Sequence, residues 1–216
     1  MKIWFASGNA HKKAELAAIL GSEIKTPVDA GLDFDPEETG NSFYENALLK
    51  ARELYRLLSA SGHPLYQSGD PVIADDSGLC VDALGRRPGI YSARYAGPAG
   101  TVVDNKKLTS PQRNALLLEE LGENPKRNAR FVCAMVLLFN EDRFYLAQET
   151  MEGEIVKGLE FAKGAGGFGY DPILFIPGFG RTVAELSEEE KNRVSHRGKA
   201  GKIIAGILRE INHRAL

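Results

Sequence analysis

The sequence predicts an α/β fold: a mixed β-sheet flanked by helices. Three observations carry this. Apolar runs of strand length alternate along the chain with segments of helical periodicity. Two long apolar runs, ARFVCAMVLLF and RFYLAQETM, are separated only by NED, a hairpin spacing that demands antiparallel neighbours. The chain has 216 residues, 43 % of them hydrophobic, enough to bury a substantial core as one domain over residues 1–216 or as two closely joined lobes.

The elements follow in order. KIWFA has the composition of a short buried strand, SGN breaks it, and AHKKAELAAIL places Leu16, Ile19 and Leu20 on one helical face. A second helix starts at Ser42, which stands at capping-box spacing from Glu45. Ala47, Ala51, Leu54, Tyr55 and Leu58 continue it, with an end expected near Ser59. The polar stretch SASGHPLYQSGDP leads into the strand VIA, at whose C-terminal end the sequence sets Asp75 beside Asp76. Ligand sites of α/β sheets favour such strand ends. Ser110 and Pro111 open a helix that Gly122 closes, and the hairpin follows. After a glycine-rich loop come the strand ILFI, a short helix capped by Ser187, and a last helix carrying Ile203, Ile204, Ile207, Leu208 and Ile211.

Composition excludes several classes of function. A formal net charge of −2 argues against a protein that holds long nucleic acid through its phosphates, so an anion site must be local. Cys80 and Cys133 sit in apolar stretches without metal-ligand spacing, which reads as buried thiols in a reducing, cytoplasmic compartment. The opening MKIWFASGN turns polar too early for a signal peptide, and no apolar run is long enough to span a bilayer.

Chemistry concentrates in four places. SGNAHK (Ser7, Gly8, Asn9, Ala10, His11, Lys12) joins a strand to a helix N-terminus, where backbone N–H groups and the dipole favour an anion; an ordinary cap with a solvated lysine is the plain alternative. GAGGFG matches the dinucleotide pattern, but Tyr170, Asp171 and Pro172 lead into a strand where that fingerprint requires a helix. What remains is a loop presenting Phe168, Tyr170 and Asp171, suited to stacking a planar base or to filling core. Adjacent Asp75 and Asp76 repel, so a cation is expected near them, and Mg2+ fits a sparse set of acids facing a phosphate cradle. Glu45 reads first as a cap, whereas Glu37 and Glu38 precede the helix and are freer to reach a metal. Finally, EEKNRVSHRGKA gathers Lys191, Arg193, His196, Arg197 and Lys199, with Ser195 to Gly198 interrupting the helical pattern. Such a run is either a solvated helix face or a set of phosphate and base contacts.

The blocks SGNAHK, EETGNSFYENALLKA, VIADDSGLCVDAL, RPGIYSARYAG, GGFGYDPILF and AELSEEEKNRVSHRGKA, in this order, closely resemble the inosine/xanthosine triphosphate pyrophosphatase family of Ham1-like nucleotide hydrolases. The resemblance implies an elongated mixed α/β fold of two lobes with a central cleft, usually a homodimer. It also implies Mg2+-dependent hydrolysis of ITP, dITP and XTP to the monophosphate and pyrophosphate. Carried onto matching positions, Ser7 to Lys12 bind phosphate and Asp76 is the general base, followed by the substrate-contacting Ser77. Glu37 and Asp76 hold the metal, with Glu38 a neighbouring candidate. Phe168, Gly169, Tyr170 and Asp171 form the base and sugar pocket, and Lys191, His196 and Arg197 are later substrate contacts. Arg86 and Arg87 stand where small residues are common in the family, and Gly201 replaces an apolar one. Two rival readings use the same residues: a nucleotide-sensing or RNA-binding module without turnover, and a Maf-type pyrophosphatase acting on other modified nucleotides. No stable nucleic-acid or membrane partner is expected.

Overall fold

A computed structural model describes residues 2–97 and 108–214. Seven strands and five α-helices are formed by them: β1 (Ile3–Phe5), α1 (Ala10–Leu20), β2 (Ile24–Lys25), α2 (Phe43–Ser61), β3 (Val72–Val81), α3 (Ser110–Leu121), β4 (Asn128–Asn140), β5 (Arg143–Ile155), β6 (Leu174–Ile176), β7 (Arg181–Thr182), α4 (Glu188–Val194) and α5 (His196–Arg214). The strand order is β2-β1-β3-β4-β5-β6-β7. The sheet is mixed, as predicted: β1 runs parallel to β2 and β3, whereas β6 is antiparallel to both β5 and β7.

Two compact units divide the chain, residues 1–76, 133–149 and 196–216 forming the first and residues 77–132 and 150–195 the second. In the first unit the sheet is covered on both faces. One face packs Phe5, Ile73 and Met135 with Leu16 of α1 and Ile204 and Leu208 of α5. The other packs Trp4, Val72 and Ala74 with Ala47, Ala51, Leu54 and Leu58 of α2, the stripe that the helical spacing predicts. α5 comes close to α1 where a Cβ on Gly201 would stand 2.9 Å from Ile19, which accounts for a glycine in an otherwise apolar stripe. In the second unit a separate core joins Leu79, Tyr95, Leu117, Met151, Tyr170 and Ile173.

Local signals hold at most ends. Asn9 caps α1, and Ser42 caps α2, which runs two residues past the expected end to Ser61. GAGGFG starts no α-helix, as expected, and leads through a short 3-10 turn, Asp171–Ile173, into β6. Two boundaries differ. β3 does not stop at Ala74 but continues through Asp75 and Asp76 to Val81. The break before α5 is Ser195 alone, so His196, Arg197 and Gly198 form the first turn of α5. Among the described residues no helix is long and apolar enough to cross a membrane.

The turn Pro27–Ala30, upstream of the acidic segment, is closed by Asp29. Its Oδ2 accepts from Thr26 N at 2.7 Å, Thr26 Oγ1 at 2.8 Å and Lys13 Nζ at 3.1 Å. The Thr26 hydroxyl does most to lower its pKa; against partial burial, the Thr26 N–H and Lys13 carry it further, to about 2. The ordinary value is 3.8, so this carboxylate's stabilisation is complete above that pH and is lost as the pH falls towards about 2. Thermal melts of the wild type and Asp29→Asn should therefore differ at pH 5 and converge near pH 2; a gap that does not narrow contradicts the assignment.

Candidate active site

Along a strand, successive side chains point to opposite faces. The double aspartate sits inside β3, so the pleat separates the two carboxylates and gives each its own surroundings. Asp75 shares the face of Ile73, with α1 and α5; Asp76 shares the face of Val72 and Ala74, with α2.

Asp75 is fully enclosed by cations. Lys12 Nζ lies 3.1 Å from its Oδ1 and 3.0 Å from Oδ2, while Arg197 donates to Oδ2 from Nη2 at 2.9 Å and Nε at 3.3 Å. The Cys133 thiol lies 3.9 Å from the same oxygen. Burial alone would raise the Asp75 pKa, but Lys12, Arg197 and Lys50 together hold it well below the ordinary carboxylate range. Cys133 is the reverse case: burial, reinforced by Asp75, pushes its thiol up to about 12 and leaves it unreactive. Asp75 is thus a permanent anion that anchors Lys12 at the start of α1. There Asn9 Oδ1 accepts from Lys12 N at 3.1 Å and Ser7 Oγ accepts from Asn9 N at 3.1 Å. Gly8, Asn9, Ala10 and His11 are exposed at this helix start, a position suited to an anion.

Asp76 meets a different environment. Its Oδ2 accepts from Asn46 Nδ2 and its Oδ1 from Lys50 Nζ, each at 3.3 Å. Lys50 Nζ also lies 2.8 Å from Glu38 Oε1. Burial raises the Asp76 pKa; Lys50 opposes this, and the neighbouring Glu38 and Asp75 add to it. One ammonium, Lys50, therefore pairs with two acids, Glu38 and Asp76, on the α2 face of β3. Asn46 fastens the acidic segment in place, its Oδ1 accepting from Gly40 N at 2.8 Å. A Cβ at Gly40 would stand 2.7 Å from that oxygen, so a side chain there would push the segment off α2.

The donor set fits Mg2+ in part. Lys50 stands as a cation between two carboxylates, which shows what charge the site attracts, and both are hard oxygen ligands. Among the described residues no group of three or more His, Cys, Asp or Glu side chains could hold a metal ion. Of the adjacent glutamates it is Glu38 that shares Lys50 with Asp76. Glu37 is exposed and lines an outer hollow with Glu45, Leu49 and Arg52. Glu45 serves the helix start, accepting from Asn41 N at 2.7 Å.

Asn46 and Lys50 are absent from the sequence-based site. Their signal was present: they lie four residues apart on the flank of the apolar stripe Ala47, Ala51, Leu54 and Leu58, where polar side chains need buried partners. Arg197, expected at the substrate, is instead buried with its guanidinium on Asp75 and on Glu15, 2.6 Å away. His196, also buried, opens α5 in the same unit.

In the second unit the glycine loop folds around a carboxylate. Asp171 Oδ2 accepts from Phe168 N and from Lys191 Nζ, each at 2.9 Å, and Lys191 Nζ stands 5.0 Å from the centre of the Phe168 ring. Gly167 lies so close that a Cβ would come within 2.0 Å of Asp171 Oδ2, and its φ of 71° is left-handed, so glycine is required twice over. Gly169 O accepts from Asn114 Nδ2 at 3.2 Å. Tyr170 is core, not pocket surface: it is 4 % exposed and its hydroxyl donates to Ser92 O at 3.0 Å. Ser77, half-buried, follows Asp76 along β3.

The chain as a whole resembles known proteins. A dITP/XTP pyrophosphatase of Treponema denticola is 48 % identical over 201 residues, 93 % of this chain and 94 % of that protein. One from Shigella flexneri is 46 % identical over 215 residues, 96 % of this chain and 98 % of that protein. The solved Ham1 protein of Staphylococcus aureus matches with a TM-score of 0.78 at 36 % identity, covering 97 % of this chain and 99 % of that one. The Ham1 family pattern covers residues 3–206, and with these relatives it establishes that the chain belongs to the Ham1 family.

Proposed function

We propose that the chain hydrolyses the non-standard purine nucleoside triphosphates ITP, dITP and XTP to the monophosphate and pyrophosphate, removing them from the nucleotide pool. The single observation that carries the chemistry is the opposed character of Asp75 and Asp76. Asp75 is held as an anion between Lys12 and Arg197, whereas Asp76 shares its one paired lysine with Glu38 and its pKa is raised by burial. The names of the relatives supply the substrate class.

Ser7 to Lys12 receive the phosphates through the α1 N-terminus and the Lys12 ammonium. Asp76 takes a proton from a water whose oxygen bonds to the α-phosphorus, the bond from that phosphorus to the bridging oxygen breaks, and pyrophosphate departs. Asp76 and Glu38, in preference to Glu37, would hold Mg2+, which when bound neutralises phosphate oxygens and makes water more acidic. Lys50 pairs with the same two carboxylates.

The base is assigned to the Phe168 ring, the Asp171 carboxylate and the Lys191 ammonium. Lys191 offers donors and no acceptor, which matches the 6-oxo group of hypoxanthine or xanthine and opposes the 6-amino group of adenine. Guanine shares the 6-oxo group, so discrimination against GTP requires a contact at the 2-position. A homodimer and a cytoplasmic location complete the reading.

Pyrophosphate release from a nucleotide panel tests the whole. ITP, dITP and XTP should be turned over with Mg2+ and not after chelation, with ATP and GTP far behind; binding without release would instead mark a sensing module, and turnover of modified pyrimidines alone a Maf-type enzyme. Asp76→Asn should keep the fold and lower kcat by about 100- to 10,000-fold, the usual range for a general base; near wild-type turnover rules Asp76 out of that role. Glu38→Gln should raise the Mg2+ concentration needed for half-maximal rate while Glu37→Gln leaves it unchanged, and the opposite pattern would move the metal position to Glu37.

A further inference from the structure

We infer that Glu15 is a positioning residue for the phosphate-binding lysine, acting through Arg197 and Asp75; the inference rests on the proposed triphosphate hydrolysis. Four charges of alternating sign form a row: Glu15 Oε2 lies 2.6 Å from Arg197 Nη1, Arg197 Nη2 lies 2.9 Å from Asp75 Oδ2, and Asp75 Oδ2 lies 3.0 Å from Lys12 Nζ. The middle of the row is dry, with the side chains of Arg197 and Asp75 only 2 % and 0 % exposed. Its ends are wetter, Glu15 at 17 % and Lys12 at 15 %.

Lys12 and Glu15 are three residues apart, on one face of α1. The row thus leaves α1 at Glu15, passes through α5 and β3, and returns to α1 at the residue that meets phosphate. Arg197 spans the gap because a planar guanidinium can serve two carboxylates with different N–H groups. Its charge is divided between Glu15 and Asp75, which leaves Asp75 able to hold Lys12 as well. Without the Glu15 charge, Arg197 loses one of its two anionic partners, and its guanidinium is drawn further onto Asp75. Lys12 then loses its fixed place, and misplacing a substrate-orienting group by about 1 Å can cost about 100-fold in rate. Lys12 holds phosphate both before and during the reaction, so the loss falls on KM.

The test is steady-state pyrophosphate release from ITP and Mg2+ by the full chain as wild type, Glu15→Gln, Lys12→Gln and the double variant. Glu15→Gln should raise KM about ten-fold with kcat within about two-fold, and the double variant should match Lys12→Gln alone. A wild-type KM in Glu15→Gln, or multiplicative effects in the double variant, overturns the inference, because a residue that merely props up the fold would act independently of Lys12. Folding is checked by circular dichroism and by the fluorescence of Trp4, the single tryptophan. Should Glu15→Gln not fold, Glu15→Asp keeps the charge but retracts it by one methylene; it should raise KM in the same direction, and an unchanged KM again overturns the inference. A wild type that releases no pyrophosphate from any nucleotide overturns the proposed function itself, a result distinct from an active wild type indifferent to Glu15.

Discussion

The alternation of side chains along β3 is the constraint on which the site depends. Two carboxylates on neighbouring residues of an irregular turn could share one environment. In a strand covered on both faces they are forced into separate compartments, each with cations from a different helix. The covering helices then decide their chemistry. α1 and α5 supply Lys12 and Arg197 to Asp75, and α2 supplies only Lys50, already engaged by Glu38, to Asp76. A one-residue slip of β3 would exchange these roles, so the register of the β1–β3 pair, Trp4 opposite Val72, is as much a part of the chemistry as the aspartates themselves.

Much of the fold was legible because it rests on local signals. The caps at Asn9 and Ser42 and the stripe on α2 follow from short-range spacing, and the hairpin of β4 and β5 from apolar runs on either side of three polar residues. The end of β3 was not legible, since paired charges normally terminate an apolar strand. What allows β3 to continue is counter-charge from remote positions, Lys50 being 26 residues from Asp76 and Arg197 122 residues from Asp75. Such pairing is a property of the folded chain and leaves no mark within a short window.

The site was legible as a set of segments and less so in its individual roles. Residue chemistry and the family resemblance both pointed to Lys12, Asp76, Asp171 and Lys191, but neither could distinguish Glu37 from Glu38, because the choice depends on which way an irregular segment turns before α2. Tyr170 was drawn into the pocket by its glycine neighbours, although its ring and hydroxyl belong to the second unit's core. Lys50 was not singled out at all, since a lysine in a helix is most often solvated; its burial against two acids is what gives it a place in the site.

Lys50 has a consequence beyond catalysis. Buried acids without a counter-ion are costly, and a metal-dependent protein that left them bare would lose structure whenever the ion was scarce. By setting an ammonium on a flexible four-carbon stem between Glu38 and Asp76, the polypeptide provides that counter-ion from its own sequence, so neither acid is left bare in the folded chain.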